Sequence, residues 1–244
     1  MEDNNQDNIK RQDKRKILAS LIVPVCIVIA MWTVKLVEFA FHLDLGDWGV
    51  VPHSAKGLIG ILTMPFLHGN WNHLITNTAP ILVLGSALYY CYPTLANRIM
   101  ILTYLLSGLL TWIMASSGIH IGASALIYGL NFFLIVSGFL RGNKQLVVIA
   151  LIMVFLYGSF VWGMIPSLAE PQHISWEGHL SGFLVGTVLA FVYKKEGPQK
   201  EEYHWDEDDD EDEDDSVDGD GEKPYWDVPM PDVDEITVQY RLRH

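Results

Sequence analysis

Cysteine is nearly absent from this chain: its 244 residues hold two, Cys26 and Cys91. Two are too few for a disulfide framework, and both lie in apolar segments, where a cysteine serves as small apolar filler. Acidic pairs are absent from every long apolar segment, which argues against an aspartyl intramembrane protease. The His-Glu-x-x-His zinc signature is absent too, so no metal site and no cofactor are expected. No internal repeat is found. Nor is a cleavable signal peptide expected. The first apolar run is too long for one and no small-residue cleavage site follows it, so it reads as a retained span.

What is present is apolar surface. Half of the residues are hydrophobic, yet the net charge is −13. The two facts separate along the chain. Residues 196–244 hold 20 Asp and Glu against 4 Lys and Arg, while residues 1–195 hold 9 against 12. Three parts are therefore expected: a basic cytoplasmic segment over 1–16, a membrane domain over 17–195, and an acidic tail over 196–244. Asp206 to Asp215 are all acids. Such a run repels itself and cannot bury a core, so the tail is expected to be disordered. Tyr225–Pro231 and Ile236–Leu242 are less polar and could dock short; no tail partner is identified.

Apolar segments run over about 17–41, 74–92, 98–116, 122–140, 145–164 and 177–193. Each is near the ~20 residues that cross ~30 Å of hydrocarbon. The expected fold is all-α, a bundle of six transmembrane helices with one long connection, 43–72. Lys35 and Glu38, near the far end of the first segment, are expected to reach the interface. Basic residues fix the orientation. Lys10, Arg11, Lys14, Arg15, Lys16, Arg98, Arg141, Lys144, Lys194 and Lys195 collect on one side, and Lys56 alone on the other. Both termini are then cytoplasmic, and spans two, four and six begin at the outer face.

Polar side chains cluster at those three beginnings. His73 and Asn77, four apart, share one helix face and can both donate hydrogen bonds. Two such donors can hold an oxygen that gains negative charge; taken alone, they also fit a polar helix start. Ser124 lies among small residues in Gly122-Ala-Ser-Ala, with its own N–H in the unpaired first turn and Tyr128 one turn below. That segment also fits a helix-packing site. His179 is flanked by Gly178, Gly182 and Gly186, a stripe that admits a close neighbouring helix. If that helix is the one carrying Ser124, the imidazole can take the serine proton; alone, His179 could merely cap a helix. Residues from three regions at one shallow depth make the joint reading the stronger one, because polar groups in a bilayer are costly.

The pattern resembles the rhomboid intramembrane proteases over roughly residues 17–193. It rests on His68, His73 and Asn77 (His-x4-His-x3-Asn), on Gly122, Ser124 and Tyr128 (Gly-x-Ser-x3-Tyr), and on His179, Gly182 and Gly186 (His-x2-Gly-x3-Gly). The resemblance implies Ser124 as nucleophile and His179 as general base. It implies His73, Asn77 and the Ser124 N–H as oxyanion hole, Tyr128 as a ring packed on His179, and His68 as a structural hydrogen-bonder. It also implies a first long loop lying partly in the bilayer and a lateral gate over about 145–176. One feature departs from it. Many family members carry Trp-Arg in the first long loop, where this chain has Trp48-Gly49 and no arginine.

The function expected is a serine endopeptidase of a cell membrane, multi-pass and bacterial, that cuts transmembrane protein substrates near the outer face. Glu177, two residues from His179, is expected to point away, leaving a Ser–His dyad. The bilayer is the other partner expected, and nucleic acid is not. A non-proteolytic rhomboid-like scaffold and a small solute transporter are the alternatives; a transporter usually places its polar site nearer the midplane. His42, His53, His120 and His173 carry less weight, being near interfaces or loops.

Overall fold

The computed structural model describes residues 2–156, 175–197 and 199. All fall within one unit, Met1–Glu201. The second half of the segment expected over 145–164, the expected gate beyond it, and the acidic tail from residue 200 onward lie outside the described residues.

Every regular element among the described residues is helical. In chain order these are α1 (Glu2–Phe41), α2 (Gly57–Thr63), α3 (Trp71–Cys91), α4 (Ala96–Met114), α5 (Ser124–Leu140), α6 (Lys144–Leu156) and α7 (Trp176–Val192), with short 3₁₀ turns at Gly46–Trp48 and Met64–Phe66. The basic segment at the start is not set apart from the first apolar run: α1 carries both without a break.

Helix α5 is the centre. Ala125 through Asn131 are all buried, as are Phe133, Leu134, Ser137 and Gly138. A helix apolar on every side is one surrounded by others, and α5 meets α3, α4, α6 and α7. The outer helices show the converse. Ile22, Ile29, Leu36 and Phe39 of α1, and Ile101, Leu105 and Ile113 of α4, are exposed. So much outward apolar surface is costly in water and neutral in lipid.

Among the described residues, three helices are long and apolar enough to cross a membrane: Lys10–Phe41, Trp71–Cys91 and Ala96–Met114. Helices α5 and α7 have 17 residues each, or ~25 Å of rise, slightly short of ~30 Å of hydrocarbon. The shortening of α5 has a local cause. The segment expected from 122 begins its helix at Ser124, because Gly122 has φ +106, a left-handed conformation that no α-helix contains.

The connection 43–72 is built rather than loose. Lys35 and Glu38 do not turn out to the interface as expected. Lys35 Nζ donates to Glu38 at 3.1 Å and to the His68 carbonyl at 2.7 Å, and Glu38 accepts from Leu45 N at 3.2 Å. An ion pair this close to the bundle tethers both ends of the loop to α1. Val50 and His120 exchange two backbone hydrogen bonds of 2.9 and 2.8 Å. Trp112 Nε1 donates to the Ser54 carbonyl at 2.9 Å, and the Tyr104 hydroxyl to that of Leu62. Gly49 now has a physical reason: a Cβ there would stand 2.6 Å from the His120 carbonyl oxygen. A side chain at that position would part the two crossing backbones.

Candidate active site

The close packing of α5 on α7 depends on missing side chains. A Cβ at Gly182 would meet the Ala125 carbonyl oxygen at 2.1 Å, and one at Gly186 would meet that of Gly129 at 2.1 Å. The offset between partners is the same in both contacts, so the two helices run parallel and in register. Carried back toward the helix starts, the same offset sets His179 opposite Gly122, two residues before Ser124. Tyr128 completes the arrangement: its ring stacks on that of His179, centroids 4.1 Å apart and planes 10° from parallel. A ring held face to face has little rotamer freedom left.

Helix caps put the histidines where they are. Asn70 caps α3, its side chain accepting from His73 N at 2.8 Å. Ser175 caps α7, its hydroxyl accepting from Gly178 N at 3.2 Å. Ser124 is the first helical residue of α5, so its N–H belongs to the first-turn donors with no acceptor in their own helix.

His73 and Asn77 converge on Gly122. A Cβ at Gly122 would lie 2.6 Å from His73 Nε2 and 3.7 Å from Asn77 Nδ2. Glycine thus serves twice there, for its positive φ and for the room it leaves the imidazole. Asn77 is 5% exposed, and its Nδ2 has no hydrogen-bond partner. An unpaired buried donor costs stability.

His68 sits behind this pair. Its ring meets that of His73 edge to face at 5.0 Å, and Nδ1 donates to the Phe66 carbonyl at 3.3 Å. Burial first, then the neighbouring His73, hold its pKa down at about 4. The folded chain therefore binds no proton at His68 between pH 6.5 and about 4, where the unfolded chain does. Stability is full above 6.5 and is lost as pH falls toward 4, by up to about 3 kcal/mol. A thermal midpoint in detergent that does not drop between pH 7 and pH 4.5 would contradict this.

His120 carries more of the structure than its place in a loop suggests. It is buried, its Nδ1 lies 2.6 Å from the Ser175 hydroxyl, and Nε2 meets the Ser117 carbonyl at 3.1 Å. Burial lowers its pKa, against the raising effect of nearby Glu177. Glu177 is itself buried, close enough for its charge to act on His120. One residue thus holds the 43–72 loop through its backbone and the α7 cap through its ring.

The family described as Rhomboid domain matches residues 55–196. The chain belongs to the rhomboid family. An uncharacterized protein of Mycobacterium tuberculosis (strain ATCC 25618 / H37Rv) is 35% identical over 171 residues, 68% of this chain and 71% of that one. An uncharacterized protein of Mycobacterium leprae (strain TN) is 32% identical over 169 residues, 66% of each chain. The rhomboid match runs from just before α2 to just past α7. It leaves the whole of α1 outside, although the resemblance in sequence extends from residue 17. Rhomboid membership and the apolar helices together make this a membrane-embedded protein.

Two rhomboid-site supports were readable and missed. Asn70 and Ser175 each stand directly before an apolar helical run, the usual position of an N-cap. His120 was not readable, since nothing local ties it to Ser175. Among the described residues no cluster of His, Cys, Asp or Glu could hold a metal ion.

Proposed function

We propose that this rhomboid is an intramembrane serine endopeptidase with a Ser124–His179 dyad. His179 takes the Ser124 hydroxyl proton as Oγ attacks the scissile carbonyl. The oxyanion accepts hydrogen bonds from His73, Asn77 Nδ2 and the Ser124 N–H. The carbon–nitrogen bond then breaks, and the amine leaves with the proton held by His179. Water, deprotonated by the same imidazole, releases the acyl group and restores Ser124. Tyr128 holds the imidazole, and His68 supports His73. The observation that supports this most is the in-register approach of α5 and α7 through Gly182 and Gly186, with His179 stacked on Tyr128.

The proposed substrate is a transmembrane protein cut near the outer face, at small residues in a span that unwinds easily. A helical peptide must unwind first, because its carbonyls are otherwise engaged and shielded. The proposed domain covers 17–195 in six spans, with both termini cytoplasmic and the acidic tail accessory. Arg98, Arg141, Lys144, Lys194 and Lys195, at the helix ends away from Ser124, support that orientation. Mycobacterial relatives support a bacterial plasma membrane.

The test is cleavage of a reporter transmembrane substrate by the full chain in liposomes, beside His179→Ala. Cleavage by wild type and none by the variant is expected; equal cleavage would remove His179 from the chemistry, and none by either would leave a scaffold or a transporter as the better reading. Asn77→Ala adds a sharper signature. It should cut the rate by about 10²–10³ while the thermal midpoint holds or rises, because it removes an unpaired buried donor. A variant that is destabilised yet cleaves normally would make Asn77 a structural residue. His120→Ala should loosen the α7 cap by about 1 kcal/mol and lower cleavage about tenfold. Unchanged kinetics would remove His120 from the positioning of His179.

A further inference from the structure

At the end of the bundle away from Ser124, the turn between α5 and α6 holds a buried cation with no anionic partner among the described residues. Arg141 is 7% exposed. Its guanidinium donates to the Ser137 hydroxyl, to the Tyr193 carbonyl at 2.6 Å and to the Glu196 carbonyl at 2.8 Å. It also lies over the Tyr92 ring, 5.2 Å from its centroid. All of these partners are neutral. The ion pairs among the described residues are Lys35–Glu38 and Arg98–Glu196, so the one carboxylate beside the turn is engaged elsewhere. Three of the five guanidinium N–H groups are used, and Nε is buried without a partner. Burying an unpaired charge is among the costlier things a fold can do.

Arg141 borders a cavity of about 410 Å³, lined also by Tyr92, Gly142, Asn143, Lys144, Gln145 and Gln199. Two further features make that cavity positive. Lys144 lines it, and so does the N-terminus of α6, whose first-turn N–H groups carry the positive end of the helix dipole. Asn143 engages only one of them, accepting from Leu146 N at 3.2 Å. Along α6 from the cavity, Val148, Leu151, Ile152 and Phe155 form an exposed apolar stripe at helical spacing. A negative group in the cavity with an apolar chain along that stripe would match both.

We propose that this cavity binds the phosphate of an anionic phospholipid, with Arg141, Lys144 and the start of α6 supplying the positive charge. The lipid ties α5, α6 and the turn after α7 together from the face opposite the dyad. The inference does not depend on proteolysis.

The test is native mass spectrometry of the full chain in detergent with phosphatidylglycerol, zwitterionic phosphatidylcholine or inorganic phosphate. One phosphatidylglycerol should be retained in preference to phosphatidylcholine. Lys144→Gln should weaken retention about 5-fold, the loss expected for one lysine at an anionic headgroup, and Lys195→Gln, outside the cavity, should not. Arg141→Gln should weaken it more. If that variant does not fold, Lys144→Gln against Lys195→Gln decides the matter. No preference between the lipids, or equal loss in the two lysine variants, would overturn the proposal. Inorganic phosphate that displaces the lipid's effect at equal concentration would assign the site to free phosphate instead.

Discussion

Ser124→Ala should abolish cleavage of a reporter transmembrane substrate, a fall of about 10⁴-fold or more, with the thermal midpoint unchanged. The size follows from the loss of the only attacking oxygen; the remaining donors can polarise a carbonyl but cannot open it. The neutrality of the fold follows from the environment. Ser124 is half-buried at the first position of α5, and alanine is the better helix former. Small neighbours leave no packing to lose. Substrate turned over normally by this variant would move the nucleophile elsewhere.

Gly186→Ala should be almost as damaging, for a different reason. Its Cβ would meet the Gly129 carbonyl oxygen at 2.1 Å and the Gly129 carbonyl carbon at 2.8 Å. Both are main-chain atoms in the middle of α5, so no side chain can swing aside. The helices must part, and they carry Ser124 and His179 at their starts. A displacement of about 1 Å at reacting groups costs about 10²-fold in rate, and overpacking adds a stability loss of about 1–3 kcal/mol or more. The variant should therefore lose cleavage and thermal stability together, in contrast to Ser124→Ala. Full activity at an unchanged midpoint would show that the register of α5 and α7 does not control the dyad.

Both variants lie in motifs that the sequence displayed. Glycines every fourth residue at 178, 182 and 186 announced a close helix contact; Gly182 and Gly186 meet Ala125 and Gly129 of α5, while Gly178 faces Ser175 and Thr111. Helix limits followed from hydropathy to within three residues for α3, α4, α5 and α7, because membrane spans are set by composition over a fixed thickness. Hydropathy could not show where α5 begins, since a left-handed Gly122 is as apolar as a helical one. Nor could it show that Lys35 and Glu38 turn inward. A charged pair near the end of a span usually reaches water, and only the folded 43–72 loop offers the carbonyls and N–H that hold these two. The Val50–His120 exchange and the His120–Ser175 contact join residues 70 and 55 positions apart, beyond any local pattern. Short connections suggested antiparallel neighbours, yet the tightest packing among the described helices joins the parallel pair α5 and α7, where glycine permits it.

The proposed dyad requires the imidazole of α7 to activate the hydroxyl of α5. A fluorophosphonate probe reads that directly, because it captures only a serine made nucleophilic by a base. With the full chain in detergent, the label should map by mass spectrometry to Ser124 in wild type and be absent from both Ser124→Ala and His179→Ala. Labelling of Ser124 that persists in folded His179→Ala, or of another serine in Ser124→Ala, would contradict it.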